Sequence, residues 1–116
     1  MTLDQLRNYC ITKNFVTEEM PFGVDTLVFK VAGKIFALCG IEPFDNINLK
    51  NTPEKVSALK DEFDAVKEGY HMGKKHWVTI QISELQNDKL LASLIDESYQ
   101  LVWDGLSKKA KAELIL

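Results

Sequence analysis

The sequence has little of what disulfide-stapled, membrane-spanning or strongly cationic proteins require. Its two cysteines, Cys10 and Cys39, stand in a helical pattern and inside an apolar run, too few for a disulfide framework. The longest apolar run, Ile35 to Ile41 counting Gly40, is seven residues, against the ~18 to 20 that a membrane-crossing helix needs. Met1 to Arg7 carry neither a basic leader nor a continuous apolar stretch, so a reducing cytoplasm is the expected location. Positive charge is also short: 14 basic against 17 acidic residues leave −3, the wrong sign for coating nucleic acid or an anionic membrane by bulk electrostatics. Any anion site must be a local patch.

What is present is an ordinary globular composition, 46% hydrophobic and 27% charged over 116 residues, which predicts one domain spanning 1–116 that folds without disulfide, metal or cofactor. Thr2 with Gln5 forms a capping box, and Leu3, Leu6, Tyr9 and Cys10 at helical spacing predict a helix over 2–13. Residues 15–20 run into Pro21, Phe22 and Gly23 as a short edge strand and turn. Thr26 to Ala32 and Lys34 to Leu38 flank Gly33 as a hairpin, with Leu27, Phe29 and Val31 on one face and Val28, Lys30 and Ala32 on the other. Asn46 to Lys50 alternates as a half-buried strand whose outer face is Asn46, Asn48 and Lys50.

Thr52, Pro53 and Glu54 start a helix over 52–65, with Val56, Leu59, Phe63 and Val66 on one face. A polar, glycine-containing loop over 66–76 leads into a strand that places Val78, Ile80 and Ile82 inward and Trp77, Thr79 and Gln81 outward. Asp88 is the expected cap of a last helix over 88–104, with Leu91, Leu94, Ile95 and Val102 as its stripe and Gly105 as its stop; 107–116 reads as a frayed helical tail. The order α-β-β-β-β-α-β-α, with short connections, predicts an α+β two-layer sandwich: an antiparallel sheet covered by helices on one face. Phe29, Phe36, Leu49, Val56, Leu59, Phe63, Val78, Ile80, Leu91, Leu94 and Ile95 are the expected core.

Pro21-Phe22-Gly23 with Asp25, Val28 to Val31, Gly33 to Leu38, Asn48-Leu49-Lys50, Pro53-Glu54, Gly69 to Met72, Lys74 to Val78 and Ser98-Tyr99 together resemble the MmcQ/YjbR family. The likeness runs from about residue 3 to 107 and is most specific over Gly69 to Trp77; Gly73 stands where the family usually carries Asn. The resemblance implies a frataxin-like fold, also described as a double-wing arrangement, and DNA binding.

Positive charge concentrates in three segments, 27–40, 66–81 and 105–116, each at +2. Lys30 and Lys50 are expected on the sheet face away from the helices, Lys34 at the hairpin tip, and Lys67, Lys74 and Lys75 in the loop that feeds Trp77. Lysines for phosphates beside an aromatic for bases are the ingredients of a nucleic-acid surface; the same lysines also serve as ordinary solvation of a sheet face. His71 and His76 have the spacing of a zinc-finger histidine pair, yet no cysteine pair accompanies them, so no metal is expected and the imidazoles are left to loop hydrogen bonding or phosphate contact. Gly69 to Lys75 misses the phosphate-loop signature, with three residues between its glycines and Lys75 where a hydroxyl belongs.

The acidic ridge with which frataxin-like proteins hold iron is reduced to Asp4, Glu18, Glu19 and Asp25, interrupted by Arg7 and Lys13. Cys39 reads as packing rather than a nucleophile, and Ser98 as bonded back to a helical carbonyl. The expectation is a non-enzymatic DNA-binding protein contacting phosphates through Lys30, Lys34, Lys50, His71, Lys74, Lys75, His76 and Trp77. The alternative is a protein-interaction or regulatory module on a frataxin-like scaffold. An enzyme for a small phosphorylated metabolite would need a pocket at His71 or His76.

Overall fold

Capping chemistry sets where the helices begin. In the computed structural model, which describes residues 1–69 and 73–115, Thr2 Oγ1 accepts from Gln5 N at 3.2 Å and Gln5 Oε1 accepts from Thr2 N at 2.8 Å, opening α1, Leu3–Ile11. Thr52 Oγ1 accepts from Lys55 N and Pro53 fills the first helical position of α2, Pro53–Glu62. That helix is shorter than its apolar spacing predicts, because Phe63 turns extended at its end and is half-buried instead of fully in the core. A single turn, α3, Ile82–Leu85, follows the last strand and takes Ile82 out of it. The cap of α4, Asp88–Asp104, is Asn87 and not Asp88: Asn87 Oδ1 accepts from Leu90 N, while Asp88 holds the N-terminal ammonium at 2.9 Å. The tail forms α5, Lys108–Ile115. No described helix is long and apolar enough to cross a membrane.

The strands are β1 (Val16–Glu19), β2 (Thr26–Val31), β3 (Lys34–Gly40), β4 (Asn46–Lys50), β5 (Val66–Glu68) and β6 (Trp77–Gln81), in one antiparallel sheet of order β1-β2-β3-β4-β6-β5. β5 falls where the sequence reads as loop; three residues of which only Val66 is buried offer no period to detect. The β2–β3 turn is Ala32-Gly33, both at positive φ (51° and 77°), the handedness a two-residue hairpin needs.

Leu27, Phe29 and Val31 of β2, Ile47 and Leu49 of β4, and Val78 and Ile80 of β6 share one face. They form a single core cluster with Leu6 and Cys10 of α1, Val56 and Leu59 of α2, and Leu91, Leu94, Ile95 and Val102 of α4. The helices thus cover one side of the sheet. β3 departs from simple alternation: its register with β2 jumps between Phe29 and Lys30, which pair with Ala37 and Ile35. Phe36 is the extra residue of a bulge, so Phe36 and Ala37 both turn inward. The regular β3–β4 pairs run from Cys39↔Ile47 to Ala37↔Leu49. Beyond them Ser98 of α4, fully buried, enters between the strands, its Oγ accepting from Lys50 N at 2.8 Å and donating to Phe36 O at 2.5 Å. Its hydroxyl serves the sheet and not its own helix.

The outer face is less solvated than alternation predicts. Register places Glu19, Val28, Leu38, Asn48, Thr79 and Lys67 in one row across it, and Val28, Leu38 and Asn48 are all buried. Asn48 Oδ1 accepts from Thr79 Oγ1 at 2.6 Å, so its buried amide oxygen is satisfied by the neighbouring strand.

Two stability outcomes follow from the backbone accounting. Ser98→Ala removes the partner of a part-buried N–H and of a buried C=O and is expected to cost about 2 to 4 kcal/mol in urea unfolding; a loss below about 0.5 kcal/mol would mean that the strands close without the hydroxyl. Ala32→Asn, better suited to positive φ, should stabilise the protein by roughly 0.5 to 1 kcal/mol and raise the melting temperature by a few degrees.

Candidate functional site

Trp77 and the glycine loop come first, because they set where the lysines stand. Gly69 N donates to Trp77 O at 2.8 Å, bringing the two backbones so close that a Cβ on Gly69 would lie 2.4 Å from Trp77 Cβ and 2.8 Å from two carbonyl oxygens. Gly73 passes over the indole edge, its own Cβ position 3.9 Å from Trp77 Cδ1. Trp77 therefore projects from the outer face, as its register predicts, yet is only 8% exposed. Its ring is buried, with Gly73 of the loop at its edge, so no free aromatic face remains for stacking a base.

Lys50 is the register partner of Trp77 at the end of β4. Its backbone N–H is held by Ser98, and the residue lines two clefts. One, about 460 Å³, is lined by Lys50, Gly73, Lys74, Lys75, His76 and Trp77. The other, also about 460 Å³, lies between the β2–β3 turn and the end of α4 and includes Lys34. Lys74 in turn reaches a third cleft, about 740 Å³, along β5 with Lys60, Lys67 and Glu68. Shared residues thus link the three clefts into a belt of six lysines, Lys60, Lys67, Lys74, Lys75, Lys50 and Lys34, with Glu68 as the carboxylate lining it. Glu68 bridges Lys60 at 2.9 Å and Lys74 at 3.9 Å; the Lys60 hydrogen bond, more than the accompanying charges, holds its carboxyl below the usual carboxylate range.

Lys34, Lys50, Lys74, Lys75 and His76 are therefore brought together, and Trp77 lies beneath them. Lys30 is not: it faces Glu19 across β1 at 3.5 Å and lines none of these clefts. His71 lies outside the described residues. Lys60, on the last turn of α2, escapes sequence reasoning because nothing local indicates that α2 packs beside β5. Asn46 Nδ2 donates to Asp45, and with Asn48 buried the polar side chains of β4 do not form an open reading surface.

The other candidate chemistry is dispersed. Arg7 donates twice to Glu18, at 2.7 and 2.8 Å, a hydrogen-bonded pair that holds the Glu18 carboxyl below its ordinary range. Glu18 and Glu19 are both engaged by cations, and among the described residues no three His, Cys, Asp or Glu side chains gather at one point. Cys10 and Cys39 are both in the core cluster, where burial pushes each thiol up to about 12.

Comparison with known proteins gives the same lineage at several levels. The YjbR family model matches residues 11–101. YbdF of Escherichia coli O157:H7 is 42% identical over 96 residues, 82% of this chain and 79% of that protein. YjbR of Escherichia coli K12 is 26% identical over 116 residues, 99% of this chain and 98% of its own length. Among solved structures, the Deinococcus radiodurans protein DR2400, with the domain DUF419, superposes with a TM-score of 0.88 at 36% identity, covering 99% of this chain and 88% of that one. A Pseudomonas syringae protein gives 0.74 at 29% identity, covering 88% and 99%.

Gly69→Ala tests the closed loop. The added methyl meets backbone, not a flexible side-chain end, so the expected cost is about 1 to 3 kcal/mol, and in a Trp103→Phe background the Trp77 emission should move to the red. Unchanged stability and emission would show that the loop does not close on the indole.

Proposed function

The chain belongs to the YjbR family, and we propose that it is a cytoplasmic, non-enzymatic protein that binds DNA through phosphate contacts along the lysine belt. The observation that carries this reading is the continuity of the belt: Lys74 and Lys50 each line two clefts, so six lysines follow one another along a single path despite a net charge of −3. A path of point charges suits a linear polyanion better than a compact phosphorylated metabolite. Lysine lacks the planar fork that reads guanine, and Arg7, the sole arginine, is held by Glu18, so contacts would be to the backbone with weak sequence preference. With the Trp77 ring closed off, stacking supplies no preference for single strands. In this reading the frataxin-like scaffold offers a cationic belt instead of an acidic ridge.

A protein-interaction module is the second reading, favoured by the β1–β2 loop, where Met20, Phe22 and Val24 are exposed, Val24 at 82%. The salt dependence of binding to a labelled duplex separates the two. If about four lysines contact phosphates, log affinity should fall against log salt with a slope of roughly −3 to −4, flattening by nearly two when Lys74 and Lys75 are both replaced by alanine and by about one in Lys50→Ala. Absence of binding at low ionic strength by the folded protein, or a slope indifferent to these lysines, would reject the DNA reading.

A further inference from the structure

The cleft between the β2–β3 turn and the end of α4 differs in kind from its neighbours. Its lining includes Ile35, Leu101, Val102 and Leu106, of which Val102 is buried and the others half-buried, beside Lys34 and Lys50. Neither lysine forms an ion pair among the described residues, whereas Lys30, Lys55, Lys60 and Lys74 all do. A phosphate backbone remains hydrated and leaves the apolar lining uncovered. A neutral hydrocarbon covers that lining but crowds two cations without a counter-charge. The chemistry that satisfies both halves is an apolar body carrying one carboxylate.

We propose that this cleft is a binding site for a small amphiphilic carboxylate, its hydrocarbon against Leu101, Val102 and Leu106 and its charge toward Lys34 and Lys50. A volume of about 460 Å³ is of the size that small-ligand sites have. The walls are set by rigid elements: the two-residue turn fixes Lys34, and the Ser98 hydrogen bond fixes the backbone from which Lys50 departs. The cleft would hold such an acid whether or not the belt takes DNA.

Titration of the isotope-labelled full chain with hexanoate, hexanol, acetate and inorganic phosphate, followed by amide chemical shifts, tests this directly. Hexanoate should produce saturable shifts at Gly33 to Ile35 and Leu101 to Leu106, with a midpoint at least tenfold below those of the other three probes. Lys50→Ala and the exposed-site variant Lys34→Gln should each weaken hexanoate several-fold and leave hexanol unchanged, in spectra that otherwise keep the folded dispersion. Equal response to phosphate would make the cleft a plain anion site, equal response to hexanol a plain apolar one, and no response at these residues would leave no site; each of these overturns the proposal.

Discussion

The hydroxyl of Ser98 supports two strands at once. A bulge in β3 turns both Phe36 and Ala37 into the core, which fills the space under α4 but carries β3 away from β4 beyond Ala37. That departure leaves a buried carbonyl on Phe36 and a part-buried amide on Lys50 without a strand partner, and an unpaired backbone group there is costly. A serine on the facing helix satisfies both with one oxygen. Its position accords with the packing of α4 on the sheet: Leu91, Leu94, Ile95 and Val102 are buried on the same face of the helix as Ser98. Tyr99, the next residue, packs edge-on against Phe36 with centroids 5.4 Å apart and donates to Asn14 O, tying the same bulge to the chain after α1.

Much of this was legible from residues alone, and what was not shares a cause. The helix starts were readable because capping is local: Thr2 and Gln5, Thr52 and Pro53 act within one turn. The hairpin was readable from Gly33, and the core from alternation in β2, β4 and β6. The bulge was hidden, since within the continuous apolar run Ile35 to Cys39 a period of two and a local doubling look alike. β5 was hidden by brevity, and the burial of Trp77 because its cover comes from a loop whose close approach depends on a missing Cβ at Gly69.

The belt shows the same division between local and assembled information. Its lysines come from the start of β3, β4, α2, β5 and the glycine loop, and no window of sequence contains more than a few of them. They meet because β6 inserts between β4 and β5, placing Trp77 across from Lys50 and bringing the glycine loop to the end of β4. Charge segmentation found the segments 27–40 and 66–81 but could not order them in space, and it included Lys30 while leaving Lys50 inside the acidic stretch between them. Topology separates the two: Lys30 lies toward β1 and Glu19, Lys50 beside β6.

The two thiols give the fold an internal clock. Cys10 lies on α1, an outlying helix that packs near the sheet edge at β1, and Cys39 on β3, a strand flanked on both sides. Both are fully buried and hold their protons at neutral pH, so an alkylating reagent can take either one only while the chain around it is open. Both side chains lie on the helix-covered face of the sheet, near enough for their charges to interact, so lifting the N-terminal helix uncovers Cys10 and begins to uncover Cys39. The excess of the Cys10 rate over the Cys39 rate measures how far the first helix loosens before the other helices part from the sheet.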